Sequence, residues 1–303
     1  LDRGFLEYLI RIKIKSKGTN SICVNSLSMD QKVSDLVLET NINKFLRRIK
    51  LIFTPNILIL KLLDFIRQNL CSLYKYDFAI TGGAVSSESF KKAKVKIFGT
   101  CPDYFFYLKY KKKLKKKKNY AVFVDTNLPY HQDHKDNANK KLNAKKYFDE
   151  LYDFFKFFES KTKIKIKIAL HPRTNIYDYP KKIRRYKFYF NRTHELIKDS
   201  KIVFMHGSTA KVFGVLYKKP IVYLENSNMK SLRYLYFYTK EHSYLGSSLI
   251  NFSKENLSNI NIKNIFKINK KKYLDYEKNF IKHPKSVDLP WFIILNNHLN
   301  KLN

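Results

Sequence analysis

Acidic residues are scarce in this sequence, and the shortage is its most unusual property. The 303 residues include 25 Asp and Glu against 60 Lys and Arg, which gives a formal net charge of +35 at pH 7. Lys, Ile, Asn, Phe and Tyr are abundant together, as AT-rich codons produce, but that bias does not explain so few carboxylates. A field this positive favours an anionic partner such as nucleotide phosphates, nucleic acid or an anionic membrane surface.

Cysteine and long apolar runs are also scarce. The three cysteines are widely spaced, so neither a disulfide framework nor a zinc knuckle is expected, and a reducing cytoplasm is the default location. No apolar stretch approaches the roughly 18 residues of a transmembrane helix. A content of 44% hydrophobic residues excludes a disordered chain, and the length suffices for two domains.

Residues 202–224 carry the most informative pattern. An apolar run ends at His206-Gly207-Ser208-Thr209, a segment with helical spacing follows, and a second apolar run begins after Pro220. Strand, tight turn, helix and strand in so short a span predict a parallel βαβ unit. Ser208 or Thr209 can cap the helix, whose free N–H groups suit a phosphate. Lys211 lies in the first helical turn, where its positive charge is unfavourable to the helix dipole, and no acidic residue is near it in the sequence. Either a bound anion balances this charge or the side chain is simply solvated.

The first half is less regular. Residues 1–76 are predicted to be rich in helix, with helical spacing over 30–49 and 58–70. A short strand over 77–81 ends in Gly82-Gly83, which form either a simple turn or the acceptor side of a cleft. Eight lysines among residues 109–118 indicate a solvated linker, or alternatively a polybasic contact with membrane or RNA. The predicted domains are therefore 1–118, including this linker, and 119–303.

The second half predicts three strand ends that carry polar residues. Strands are predicted over 121–124, 164–170 and 202–205, with helices over 144–159 and 193–198 between them. In a parallel sheet, the residues that follow these strands lie on one rim. The general-base candidates are Asp125, which could instead cap its loop, His131 and Asp133. The candidates for a cationic phosphate cradle are His171, Arg173, His206, Gly207, Ser208, Thr209 and Lys211. No Asp-x-Asp metal-binding motif occurs in the sequence, so a metal-independent mechanism is predicted.

The order of these strands, helices and polar strand ends resembles the C-terminal half of GT-B glycosyltransferases. The resemblance is greatest to bacterial sialyltransferase-like and Kdo-transferase-like enzymes of capsule and lipopolysaccharide synthesis. The resemblance spans roughly residues 120–300 and rests on His171-Pro172, Ser208-Thr209 and Lys219-Pro220-Ile221. It implies an α/β, GT-B-like fold of two Rossmann-like domains facing a cleft, the N-terminal one short or truncated. It also implies that His171 contacts the donor phosphate or acts as an acid, and that Ser208 and Thr209 hold that phosphate.

The resemblance further implies a nucleotide-activated sugar, such as a CMP-linked one, as substrate, no cofactor, and a glycan or glycolipid acceptor. The sialyltransferase acidic motif, two acidic residues followed by Gly, is absent, which leaves the general base open. Teichoic-acid glycerophosphotransferases share the Ser/Thr turn and the Lys-Pro pair, so phosphoglycerol transfer is an alternative. A non-catalytic RNA- or membrane-binding protein is another, although no RNA-recognition motif, KH loop or zinc finger supports a nucleic-acid partner. The expected location is cytoplasmic, with peripheral attachment to the inner face of the membrane as a further expectation.

Overall fold

A computed structural model describes residues 21–25, 76–85, 90, 93–111, 118–130, 142–227, 229 and 241–301. The helices predicted over 30–49 and 58–70, most of the lysine run, and the base candidates His131 and Asp133 lie outside these residues. The strands are β1 (Ile22–Asn25), β2 (Phe78–Thr81), β3 (Val95–Phe98), β4 (Tyr120–Val124), β5 (Lys165–Ala169), β6 (Lys187–Tyr189), β7 (Ile202–Met205), β8 (Ile221–Glu225) and β9 (Ser248–Asn251). The α-helices are α1 (Tyr104–Tyr110), α2 (Ala144–Thr162), α3 (Thr193–Asp199), α4 (Lys211–Leu216), α5 (Lys270–Tyr276) and α6 (Trp291–Leu299).

The chain forms two compact units, one of residues Leu1–Tyr104 with Lys278–Asn303 and one of Phe105–Glu277. The C-terminal segment joins the first unit because its backbone bonds to the loop after β3: Cys101 donates its N–H to the carbonyl of Ile281 at 2.7 Å. These units divide the chain differently from the predicted domains 1–118 and 119–303. The functional division into acceptor and donor domains stays a prediction.

The first unit contains a parallel sheet in the order β1-β2-β3. Phe78, Ile80 and Ile97 pack with Leu295 of α6 in a small apolar core. The strand predicted over 77–81 is confirmed within one residue.

The second unit contains a parallel sheet in the order β6-β5-β4-β7-β8-β9. Helix α2 covers one face because Phe154, Phe155 and Phe158 repeat at helical spacing and are fully buried, packing on Phe123 and Phe204. The predicted βαβ unit is confirmed as β7, α4 and β8. Burial of this aromatic face stabilises the packing of α2 on the sheet.

Strand β5 alternates between cationic and apolar side chains. Ile166 and Ile168 are buried in the core, whereas Lys165 is exposed and Lys167 is half-exposed. β5 is second from the edge of the sheet, beside β6, and such alternation is unusual for a strand buried on both faces. Parallel pairing throughout both sheets confirms the predicted α/β class.

Candidate functional site

The carboxyl ends of three central strands lie side by side in the large sheet. Val124 at the end of β4 is paired with Ala169 of β5 and with Met205 of β7. The residues that follow these strands, beginning at Asp125, Leu170 and His206, therefore share one rim, as the sequence predicted. We call this edge of the sheet the carboxyl rim.

Asp125 ties two loops of the carboxyl rim together. Its carboxylate accepts hydrogen bonds from the N–H of Asn127 at 2.9 Å, the N–H of His171 at 3.2 Å and the hydroxyl of Thr174 at 3.0 Å. The residue is only 5% exposed. Burial raises the pKa of the neighbouring Tyr179 well above its usual range, and the Asp125 charge adds to that shift. A buried carboxylate with three protein donors holds the loops in place. This agrees with the alternative that Asp125 caps its loop.

His171 is half-buried on the loop that Asp125 holds. Its Nδ1 accepts a hydrogen bond from the N–H of Arg173 at 3.2 Å. An accepting Nδ1 carries no proton, so the neutral ring bears its proton on Nε2. The side chain of Arg173 is exposed. The loop thus carries the His171 ring and the Arg173 guanidinium two residues apart in sequence at the carboxyl rim.

The turn after β7 offers backbone donors. The hydroxyl of Ser208 accepts from the N–H of Ala210 at 3.2 Å, and the carbonyl of Ser208 accepts from the N–H of Lys211 at 3.1 Å. Within the described ranges, the N–H groups of Ser208 and Thr209 donate to no protein acceptor. Ser208 is half-buried and Thr209 is exposed. The N-cap of α4 is Ala210, without a side-chain cap, so the prediction that Ser208 or Thr209 caps this helix is wrong.

His206 is placed differently from its predicted role as a phosphate ligand. The ring is fully buried; its Nδ1–H donates to the carbonyl of Leu224 at 2.8 Å, and its Nε2 accepts from the Tyr147 hydroxyl at 2.7 Å. Burial lowers the pKa of His206 to about 4, so the ring is neutral near pH 7. Because both ring nitrogens are used inside the core, the side chain does not reach a ligand at the rim, and the prediction for this residue is wrong.

Lys211 also differs from its prediction. Its ammonium lies 2.5 Å from the carboxylate of Glu241, and both side chains are almost completely buried. The Tyr223 hydroxyl donates to the other oxygen of Glu241 at 3.2 Å. The charge that was expected to attract an anion is therefore met by a protein carboxylate thirty residues later in the chain, which local inspection of the sequence does not reveal. Lys211 is neither solvated nor a phosphate ligand.

Gly82 and Gly83 are buried where the first unit's backbone segments pass close together. A Cβ on Gly82 would lie 2.6 Å from the backbone nitrogen of Cys101, and one on Gly83 would lie 2.2 Å from the carbonyl oxygen of Asn279. Close backbone packing therefore explains why both residues are glycine. Their predicted role on the acceptor side stays a prediction.

Sequence reasoning missed a buried carboxylate near the end of β8. Glu150 of α2 accepts a hydrogen bond from the side-chain amide of Asn226 at 2.7 Å, and Asn226 directly follows β8. Burial raises the pKa of Glu150 above its ordinary value. The signal that could have identified it is a lone acidic residue within the apolar stripe of α2, beside Leu151 and three residues after Tyr147.

Two polar atoms at the carboxyl rim lack partners in the part of the chain that the structure describes. They are the Thr126 hydroxyl oxygen and the Asn127 amide oxygen, both buried directly after Asp125. Asn127 also has a left-handed backbone, with φ of 51°. An unpaired buried polar group costs about 1–3 kcal/mol unless a donor reaches it, so the rim suits a polar ligand or water.

Among the described residues, no group of three or more His, Cys, Asp and Glu side chains is arranged to hold a metal ion. None of the helices in these ranges has the length and apolar character needed to cross a bilayer.

No protein family and no curated protein matches this sequence. Among solved structures, Arabidopsis thaliana UGT89C1 matches with a TM-score of 0.50 and 9% identity, over 99% of this chain and 70% of that chain. The wall teichoic acid polymerase TagF matches with a TM-score of 0.47 and 13% identity, over 75% of this chain and 60% of that chain. A glycotransferase of kitacinnamycin matches with a TM-score of 0.33 and 10% identity, over 90% of this chain and 65% of that chain.

These similarities bear on the fold. The mixed α/β architecture with parallel sheets matches that of GT-B glycosyltransferases, as the sequence predicted, at an identity too low to transfer an activity. The chain spans 60% of the length of the TagF chain that it matches.

Proposed function

We propose that this protein is a glycosyltransferase that moves a sugar from a nucleotide-activated donor to a glycan or glycolipid acceptor. The observation that supports the proposal is the meeting of the His171-Arg173 loop and the Ser208-Thr209 turn at the carboxyl rim of a GT-B-like sheet. Ligands of open α/β sheets bind at this edge. Sugar transfer needs a cationic, donor-rich cradle for the leaving nucleotide phosphate, and these residues supply one.

Each member of the cradle has a role that follows from its chemistry. Arg173 supplies a full positive charge and a forked donor for phosphate oxygens. Ser208 and Thr209 supply backbone N–H donors, and His171 supplies Nε2–H. Because Nδ1 of His171 already accepts a backbone hydrogen bond, we assign the ring to hydrogen-bond donation at the donor phosphate rather than to proton transfer.

The remaining features of the proposal come from the sequence. His131 and Asp133 are the base candidates, because the structure engages Asp125 in loop packing. We propose a CMP-linked donor, a metal-independent reaction without a cofactor, and a role in building capsule or lipopolysaccharide. The net charge of +35 supports peripheral attachment at the cytoplasmic face of an anionic membrane.

A nucleotide screen tests the proposal. CMP, CDP, UDP and GDP are compared by thermal shift, and the best ligand is then titrated by calorimetry, since a ligand that binds only the native state raises its stability. Arg173→Ala should weaken binding about 10- to 100-fold, the effect of one lost charge-assisted contact. Arg184→Ala is the matched control, because Arg184 is an exposed arginine that precedes β6, at the opposite end of the strands.

The donor screen also separates the two transfer reactions. CMP-sugars and CDP-glycerol are each incubated with the protein and nucleotide release is followed. Turnover of CDP-glycerol alone would favour phosphoglycerol transfer at the same cradle. Absence of nucleotide binding, or equal affinities of the Arg173 and Arg184 variants, would contradict the proposed site.

A further inference from the structure

A cavity lies at the end of the large sheet opposite the carboxyl rim. It has a volume of about 560 Å³, and its charged lining consists of Lys156, Glu159, Lys165, Lys167, Arg185 and Lys187. Lys165 and Lys187 are the first residues of β5 and β6, whereas the carboxyl rim lies beyond the last residues of these strands. At about 3.3 Å per residue, the five residues of β5 separate the two places by roughly 13 Å. We call this the amino-rim cavity.

The charges of the amino-rim cavity are unbalanced. Five cations face one carboxylate, and Glu159 is already engaged by the N–H of Ile166 at 2.9 Å and the ammonium of Lys165 at 3.5 Å. Across the described residues, Lys156, Arg185 and Lys187 form no ion pair. Within the described part of the chain, three cationic side chains therefore line one cavity without an ion-pair partner.

The fold also places two of these cations side by side. Lys167 of β5 and Lys187 of β6 are direct partners in the parallel ladder. Like charges on directly paired residues destabilise a sheet. The ammonium of Lys167 lies 4.0 Å from the ring centroid of Tyr120, which eases but does not neutralise its charge. The same ammonium lies 5.3 Å from the ring centroid of Tyr189, so the charge of Lys167 is directed towards these two rings.

A neighbouring cavity has a more balanced lining. That cavity, of about 470 Å³, has four lysines and three carboxylates in its lining. There Lys182 pairs with Asp149, and Lys146 pairs with Glu150 at 3.8 Å. Two of the four lysines of this cavity are thus paired with carboxylates, whereas Glu159 is the one carboxylate that lines the amino-rim cavity.

We propose that the amino-rim cavity binds a ligand with more than one phosphate group. A single phosphate does not fill such a volume, which lies in the range of small-molecule sites, and Arg185 offers the forked donor that phosphate oxygens match. The half-buried rings of Tyr152 and Tyr186 form an apolar wall beside the cations. The site stands apart from the proposed donor cradle and does not depend on the proposed function.

Calorimetric titration with tripolyphosphate at low salt tests the site. The titration uses the Arg173→Ala background, so that the carboxyl-rim cradle contributes little. In that background, Arg185→Gln with Lys187→Gln should weaken binding about 10- to 100-fold. The control pair Lys145→Gln with Lys254→Gln removes the same charge from the balanced cavity and should change affinity by no more than about twofold.

Vesicle sedimentation distinguishes the sources of phosphate. If vesicles that contain cardiolipin, a lipid with two phosphate groups, bind the parent protein and the control but not the Arg185/Lys187 variant, the cavity recognises lipid phosphates. If only tripolyphosphate binding responds, the ligand is a free polyanion; both results support the site. Undetectable tripolyphosphate binding, or equal weakening in both variant pairs, would overturn it. Melting temperatures establish that the variants are folded, and the Lys187 change is expected to leave stability equal or higher because it removes a repulsive pair.

Discussion

Replacing Asp125 with Asn separates two roles for this carboxylate, positioning and general-base catalysis. The substitution keeps the shape of the side chain but exchanges one acceptor oxygen for an NH₂ donor. In the native protein, the two oxygens of Asp125 accept from the N–H groups of Asn127 and His171 and from the hydroxyl of Thr174. Asn has a single amide oxygen where Asp125 has two carboxylate oxygens, so at least one of the three donors loses its acceptor.

The magnitude follows from these contacts. A hydrogen bond to a charged group contributes about 1.5–3 kcal/mol, and a buried donor left unpaired costs about 1–3 kcal/mol. With one or two of three bonds lost, the free energy of unfolding of Asp125→Asn should fall by roughly 2–4 kcal/mol. The loop that carries His171 should loosen at the same time, which weakens ligand binding at the carboxyl rim.

Urea unfolding measures the stability change, and the slope of the transition shows whether the native state stays compact. Asp178→Asn is the control, because Asp178 is exposed and such a change usually alters stability by less than about 0.5 kcal/mol. A variant of native stability whose turnover is reduced by two or more orders of magnitude would refute this reasoning, because that combination identifies a general base.

Three further predictions concern buried groups. The pKa of His206 is lowered from 6.5 to about 4 by burial, so between these values the unfolded chain binds a proton that the folded chain does not. The free energy of unfolding should therefore be roughly 3 kcal/mol higher above pH 6.5 than near pH 4. Urea unfolding at pH values across this window measures the difference, which should disappear in His206→Asn. Lys211→Met leaves the buried charge of Glu241 without its ammonium partner, so the free energy of unfolding should fall by about 3–5 kcal/mol, and adding Glu241→Gln should restore part of the loss. Gly83→Ala brings a methyl group against the carbonyl of Asn279 and should lower stability by about 1–3 kcal/mol in the same assay, whereas an unchanged value would contradict the close packing.

The parts of the fold that periodicity predicts were recognisable from the sequence. The apolar runs of β4 and β7 are continuous because both faces of these central strands are buried, and α2 carries a regular aromatic stripe. Strands β6 and β9 escaped prediction because they are short, and β6 begins with a lysine at the edge of the sheet. Edge strands of this kind lack the apolar signal that buried strands have.

The site was predictable only as far as topology defines it. Parallel strands bring Asp125, His171 and Ser208 to one rim whatever their side chains do, and that convergence is confirmed. The direction of each side chain depends on distant partners instead. His206 turns into the core towards Leu224, eighteen residues later, and the partner of Lys211 is thirty residues away, so neither role was visible in the local pattern.

The central claim is that the carboxyl rim holds the donor phosphate, and a crystal structure with the most stabilising nucleotide of the screen tests it most directly. We expect phosphate oxygens within about 3 Å of the N–H groups of Ser208 and Thr209, with Nε2 of His171 and the guanidinium of Arg173 as further donors. A nucleotide seated elsewhere, including in the amino-rim cavity, with the carboxyl rim unchanged would contradict the account.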